Sequence, residues 1–323
     1  MIHESGFIFD IFLRRKLPPL YINPVYNKLT GKSYRLVPTK QLVIKQNNLL
    51  LEKDIPDYLN ANTIGSISDF KVKRIKQYQG FACDLNGYED VIDYLKQNLG
   101  KSSIKNIKAR KRQLESRFNT VYKFYYGEID QAHYDFLFDK FYMMLKSRFD
   151  VKKTYNRYLL EWKHYHEMIY PMILKKEAMF FVIYVNNEPI SISLEFCYDD
   201  VCFGYIHGYD SDYHRYQIGD IRMVKIIEWL IANNFKLFDT LMGKTIFKAK
   251  WSNHTYDYYY DLFYKKNSIS GRAQLGFIET KFRLKQILRD KGILGNWFSM
   301  DRFLYKRMAK KLSNFDWKKQ ETR

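Results

Sequence analysis

The chain has 323 residues, 46% of them hydrophobic, enough for one large domain or two of about 150 residues. Lysine and arginine outnumber aspartate and glutamate 54 to 35, and the net charge of +19 draws polyanions: nucleic acid, anionic membrane or phosphorylated small molecules. No window approaches roughly 18 uncharged apolar residues, so no transmembrane helix is expected, and Met1-Ile2-His3-Glu4-Ser5 lacks the basic start of a signal peptide. Cys83, Cys197 and Cys202 have no zinc-type spacing, so no metal is expected, and a reduced, cytoplasmic setting fits them best.

Residues 1–80 read as strand-rich and irregular, punctuated by Pro18-Pro19, Asn23-Pro24 and Gly31. Leu42–Ile44 and Leu49–Leu51, flanking Lys45-Gln46-Asn47-Asn48, predict a hairpin. Phe81–Leu85 reads as a strand end, and Val91, Tyr94 and Leu95 as one face of a helix. Ile104, Ile107, Lys111 and Leu114 fall at helical spacing in a segment whose other face is strongly basic. Val121–Tyr126 reads as a strand, followed by helices over Phe136–Lys146, Leu159–Trp162 and His166–Ile173. Met179–Tyr184, Ile190–Cys197 and Val201–Gly208 predict an antiparallel meander, turning at Asn186-Asn187 and at Asp199-Asp200. A loop, Tyr209–Gly219, leads to a helix marked by Ile221, Val224, Ile227 and Ile231. The strand Lys236–Leu241 completes a crossover unit. Tyr256–Tyr264 is a last strand. Residues 271–323 read as helical and basic, with 13 Lys/Arg against 4 Asp/Glu over 281–323.

Four stretches in this order resemble the GNAT acyltransferases. They are Phe181–Tyr184 with Glu188-Pro189-Ile190-Ser191-Ile192, then Tyr205-Ile206-His207-Gly208-Tyr209-Asp210, then Gln217-Ile218-Gly219 opening a helix, and Phe238-Asp239-Thr240-Leu241-Met242-Gly243 with Phe247-Lys248 and Trp251. The last is similar to the FDFxxGxxxYKxxW signature of the branch that groups cellulose-biosynthesis-type acetyltransferases with Fem-type peptidoglycan transferases. The resemblance implies a mixed α/β fold, a central mixed sheet flanked by helices, arranged as two GNAT-like halves. The expected segments are a degenerate N-terminal half over 1–130, an acyltransferase half over 131–270 and a basic helical extension over 271–323.

The resemblance also implies acyl transfer from acetyl-CoA or another acyl-CoA to a polyanionic acceptor, such as an amino sugar or a lipid-linked envelope precursor. Donor pyrophosphate is expected at the helix N-terminus after Gln217 and Gly219, where free N–H groups attract phosphate. The family's Gln/Arg-x-x-Gly-x-Gly/Ala pattern is only partly met: Tyr216 and Ile221 stand where Gln/Arg and a small residue are expected, and Asp220 adds negative charge. Arg215, Arg222 and Lys225 are expected to compensate, and Gly208 to let a ligand approach the strand end. Among His207, Asp210 and Asp239 as bases, histidine titrates nearest working pH, so His207 is the expected base. Asp239 is expected to orient Lys248 or Lys250, which with Tyr209, Asp210 and a stacking Trp251 would hold the acceptor. Two alternatives stand beside this reading. One is a Fem-type enzyme taking its acyl group from aminoacyl-tRNA. The other is a non-catalytic polyanion-binding protein on the same scaffold, touching nucleic acid or the membrane surface.

Overall fold

The computed structural model describes residues 3–18, 20–39, 49–63, 70–292, 300–312 and 315–319. The chain runs β1 (His3–Gly6), α1 (Phe7–Phe12), β2 (Lys16–Leu17), β3 (Tyr21–Asn27), β4 (Ser33–Tyr34), β5 (Val37–Pro38), β6 (Leu49–Pro56), β7 (Leu59–Thr63) and β8 (Phe70–Asp84). There follow α2 (Val91–Asn98), α3 (Lys101–Arg117), β9 (Thr120–Tyr125), α4 (Gln131–Lys152), α5 (Trp162–Leu174), β10 (Ala178–Val185), β11 (Glu188–Tyr198) and β12 (Val201–Tyr209). The described chain continues with α6 (Ile218–Ala232), β13 (Leu237–Met242), α7 (Ile246–Trp251), β14 (His254–Lys265), α8 (Ile269–Asp290) and α9 (Met300–Leu312). The fold is mixed α/β. It divides into two units interleaved in sequence, 1–86 with 239–298 and 87–238 with 299–323. The sequence suggested consecutive segments instead; here the chain changes unit inside β13.

In the 87–238 unit the expected meander is present. β10 pairs antiparallel with β11 and β11 with β12, while β9 pairs with the free side of β10. Every residue of β10 is buried, so both of its faces are covered. Asn186 and Asn187 both take positive φ, as a two-residue hairpin with the strand twist requires. α4 is longer than its apolar pattern suggested. Asp130 caps it by accepting from the His133 N–H at 3.0 Å, and Lys153 ends it in the left-handed conformation. Tyr134, Leu137, Phe138, Phe141, Tyr142 and Leu145 form its buried face. Trp162 at the start of α5 is fully buried between Phe138 and Phe141, with ring centres 4.6 and 5.3 Å away. Side chains of this size each contribute about 1.5–3 kcal/mol on burial. The C-terminal segment belongs to this unit: Trp317 packs on Phe138 and His166.

In the other unit β1 runs parallel to β6, and β14 lies antiparallel between β6 and β8. β3 pairs with β4 and β7 in a small separate sheet. α8 lays Ile278 onto Leu49, Leu51, Ile75, Tyr260 and Leu262. The hairpin expected over 42–51 falls largely outside the described residues; Leu49–Leu51 begins β6, which pairs with β1 and β14. Among the described residues no helix is long and apolar enough to cross a membrane.

Candidate functional site

Two centres hold the residues that the sequence singled out, one in each unit. In the 87–238 unit β11 carries a polar row at period two: Ser191, Ser193 and Glu195 are all at most 1% exposed. His207 of β12 is the register partner of Ser193, and its Nε2 lies 3.0 Å from the Ser191 hydroxyl. Burial first, then the positive charges of Arg222 and Arg148, hold the His207 imidazole well below its ordinary pKa, so it is neutral at physiological pH. Glu195 is fully buried and its pKa is pushed up to about 7 by that burial, although Arg222 sits 3.3 Å away. The apolar run Ile-Ser-Ile-Ser-Leu-Glu-Phe carried this signal: polar groups alternating with aliphatic ones inside a buried strand.

A cavity of about 520 Å³ opens where β11 begins and β12 ends, against α4. Tyr209 and Asp210 line it, as do Arg148 and Lys152 of α4, which the sequence reading missed. Arg148 Nη1 donates to the His207 carbonyl at 3.0 Å, and its guanidinium carbon lies 5.2 Å from the centre of the Tyr209 ring. This ties the base candidate to the cavity wall.

Three expectations in this unit need correction. Gly208 gives room to α4, not to a ligand: an added Cβ would lie 3.1 Å from the Phe141 ring and 3.2 Å from Met144 Cβ. Arg222 is 7% exposed and turned inward to Glu195, so its charge is spent on a buried pair and not offered to a pyrophosphate. Gln217, in the left-handed conformation before α6, accepts through its side chain from Asn106 at 3.0 Å, while Asp220 is buried in the first turn. A carboxylate there opposes phosphate binding. Arg215 is exposed and donates to the Tyr216 hydroxyl at 2.8 Å, and Gly219 lies in the first turn of α6.

The second centre is built on Asp239 of β13, which is fully buried. Its carboxylate accepts from Tyr58, from Tyr256 and from the Leu241 N–H, each at 2.7 Å, and Tyr256 also lies 2.8 Å from the Tyr258 hydroxyl. Burial raises the Asp239 pKa, and the phenol and amide donors oppose the rise. The catalytic expectation for Asp239 is therefore corrected: it is the acceptor of a tyrosine knot that leaves no approach for a substrate. Nor does it hold Lys248 by a hydrogen bond. Thr245 caps α7 by accepting from the Lys248 N–H, and Lys248 Nζ donates to the Met242 carbonyl at 2.7 Å and the Leu241 carbonyl at 3.3 Å. Desolvation lowers the Lys248 amine to about 8 against the pull of Asp239. Trp251 is fully buried, so its ring is core and offers no stacking face; Lys250 Nζ lies 5.6 Å from its centre. Tyr58, 181 residues before Asp239, had no signal in the sequence. Among the described residues no cluster of His, Cys, Asp and Glu could hold a metal ion.

Residues 101–249 match the family described as the acetyltransferase (GNAT) domain. A little under half of the chain is therefore similar to a GNAT acetyltransferase domain. The match contains β9–β12, α6 and the cavity. No curated protein is significantly similar in sequence. Among solved structures, FemX is similar over 68% of this chain and 73% of its own, with a TM-score of 0.50 and 7% identity, a likeness of fold. The C-terminal domain of a putative lysylphosphatidylglycerol synthetase from Agrobacterium fabrum matches at TM-score 0.45 and 12% identity, over 70% of each chain. L-PGS from Bacillus licheniformis matches at TM-score 0.45 and 12% identity, over 72% of this chain and 73% of its own.

Proposed function

We propose that the chain is an acyl-CoA-dependent acyltransferase, with acetyl-CoA as donor, acting on the amine or hydroxyl of an amino sugar or other envelope precursor in the cytoplasm. The observation that carries this reading is the cavity at the ends of β11 and β12, inside the GNAT domain and tied to His207 through Arg148 and Tyr209. Acyl transfer needs the attacking amine to lose a proton. His207 is neutral and is the proposed proton acceptor, although burial and the charges of Arg222 and Arg148 make it less basic than an ordinary imidazole, and Tyr209 and Asp210 would orient the acceptor. Calorimetry with acetyl-CoA and a panel of acyl-CoAs tests the donor. Saturable binding of one thioester is expected, and a folded protein that binds none of them would remove the assignment.

The loop before α6 favours a second reading. With Gln217 tied to Asn106 and Asp220 in the first turn, an aminoacyl-tRNA donor makes fewer demands on this helix end than a pyrophosphate does. The seven lysines and arginines of α3 would meet the RNA backbone. Co-purifying RNA, released steeply by salt, would support this donor.

A further inference from the structure

We propose that the cavity beside α4 is a binding site for a phosphate-bearing acceptor, its phosphate held between Arg148 and Lys152 and its apolar part laid on Met144, Val151 and Ile190. This rests on the acyltransferase reading for what happens to the ligand, but not for the binding itself. Arg148 and Lys152 stand four residues apart on α4, so they share one face, and two like charges at that spacing repel. Among the described residues neither has a carboxylate within 4.0 Å. Neither carboxylate of the cavity wall forms an ion pair with Arg148 or Lys152. Glu188 takes Lys140 at 2.9 Å, and Asp210 accepts from the Asp212 N–H at 3.0 Å. Lys152 feels the arrangement, since Arg148 above all, and then partial burial, hold its ammonium below the ordinary lysine value.

Arg148 is also pre-organised. One N–H is fixed on the His207 carbonyl and the guanidinium lies on the Tyr209 ring, so the rest of its donor fork is presented to the cavity at little further cost in side-chain entropy. A fork beside a point charge suits phosphate, which can accept from both at once. The remaining floor is apolar, which asks for a ligand larger than the anion alone.

The test uses the whole protein and calorimetry with phenyl phosphate, benzoate, benzyl alcohol, inorganic phosphate and desulfo-CoA. Phenyl phosphate is expected to bind best, and Arg148→Gln and Lys152→Gln each to weaken it on the order of tenfold. Lys152 is exposed, so its variant keeps the test valid if Arg148→Gln fails to fold. Desulfo-CoA affinity is expected to stay unchanged in Lys152→Gln. Phenyl phosphate binding that is absent, equal in the variants, or matched by benzoate overturns the proposal. So does a parallel loss of desulfo-CoA, which would make this the donor's cavity. Binding of phenyl phosphate without any thioester binding would sink the donor reading alone.

Discussion

Lys248 and Asp239 show how far burial can carry a side chain from its ordinary role. For Lys248 the sign is fixed by the direction of its shift. The folded amine titrates at about 8 and the unfolded one near 10.5, so charge on this lysine opposes folding. The penalty is fully present below about pH 8. It is relieved between about 8 and 10.5, where the unfolded chain holds the proton and the folded one does not, so stability rises with pH in that window. Comparing wild type with Lys248→Met by urea unfolding cancels the other groups. The difference between them should move in favour of wild type by about 3 kcal/mol from pH 7.5 to 10.5, and a flat difference would mean that the amine is solvated. Asp239→Ala asks a different question. It leaves the buried hydroxyls of Tyr58 and Tyr256 without their acceptor, each costing about 1–3 kcal/mol, so the variant should lose stability as well as any activity. Loss of activity in a variant as stable as wild type would instead return Asp239 to the catalytic candidates.

At the scale of elements, Gly80 explains how the knot is assembled. It is the register partner of Tyr256, and a Cβ there would meet the Tyr256 ring at 2.2 and 2.4 Å and its hydroxyl at 2.6 Å. The Tyr256 ring lies across β8 only because that position has no side chain, and so its hydroxyl reaches Asp239. Gly80→Ala is expected to destabilise by about 1–3 kcal/mol, and adding Tyr256→Phe should recover little of it, because the clash lies with the ring. Fluorescence-monitored denaturation of the two variants separates ring from hydroxyl. The strands of the meander were legible because Met179–Tyr184 and Ile190–Cys197 are continuous or alternating apolar runs, and the Asn186-Asn187 turn has its own chemistry. α4 was legible only in part. Its apolar pattern stops near Lys146, and no glycine or proline marks its true end at Lys153, so Arg148 and Lys152 were left off the helix that presents them. The partners of Asp239 were not legible at all, since hydrogen bonds among the turn before β7, β13 and β14 depend on tertiary placement, which the sequence does not state locally.

For the whole molecule the question is where a net charge of +19 is used. α8 gives one answer inside its own unit. Ile278 faces the core, while Ile269, Phe277, Leu284 and Ile287 are 86%, 73%, 54% and 51% exposed along the other side. Arg272 and Lys281 flank that stripe by helical spacing, and Lys291 follows the helix end. Large apolar groups in water cost free energy unless something covers them, and a basic border selects an anionic surface. A surface of acidic lipid headgroups would match both the apolar stripe and its basic border, which vesicles of defined composition test directly. Co-sedimentation with vesicles rich in phosphatidylglycerol is expected, with little binding to phosphatidylcholine, since each basic residue near such a surface contributes about 1 kcal/mol. Raising salt should weaken binding without abolishing it, because the apolar contact is not screened. Phe277→Glu with Leu284→Glu should abolish it while leaving the fold intact, both side chains being exposed. If that double variant still sediments with the vesicles, or if it instead splits a dimer of the wild-type chain, α8 is covered by something other than lipid.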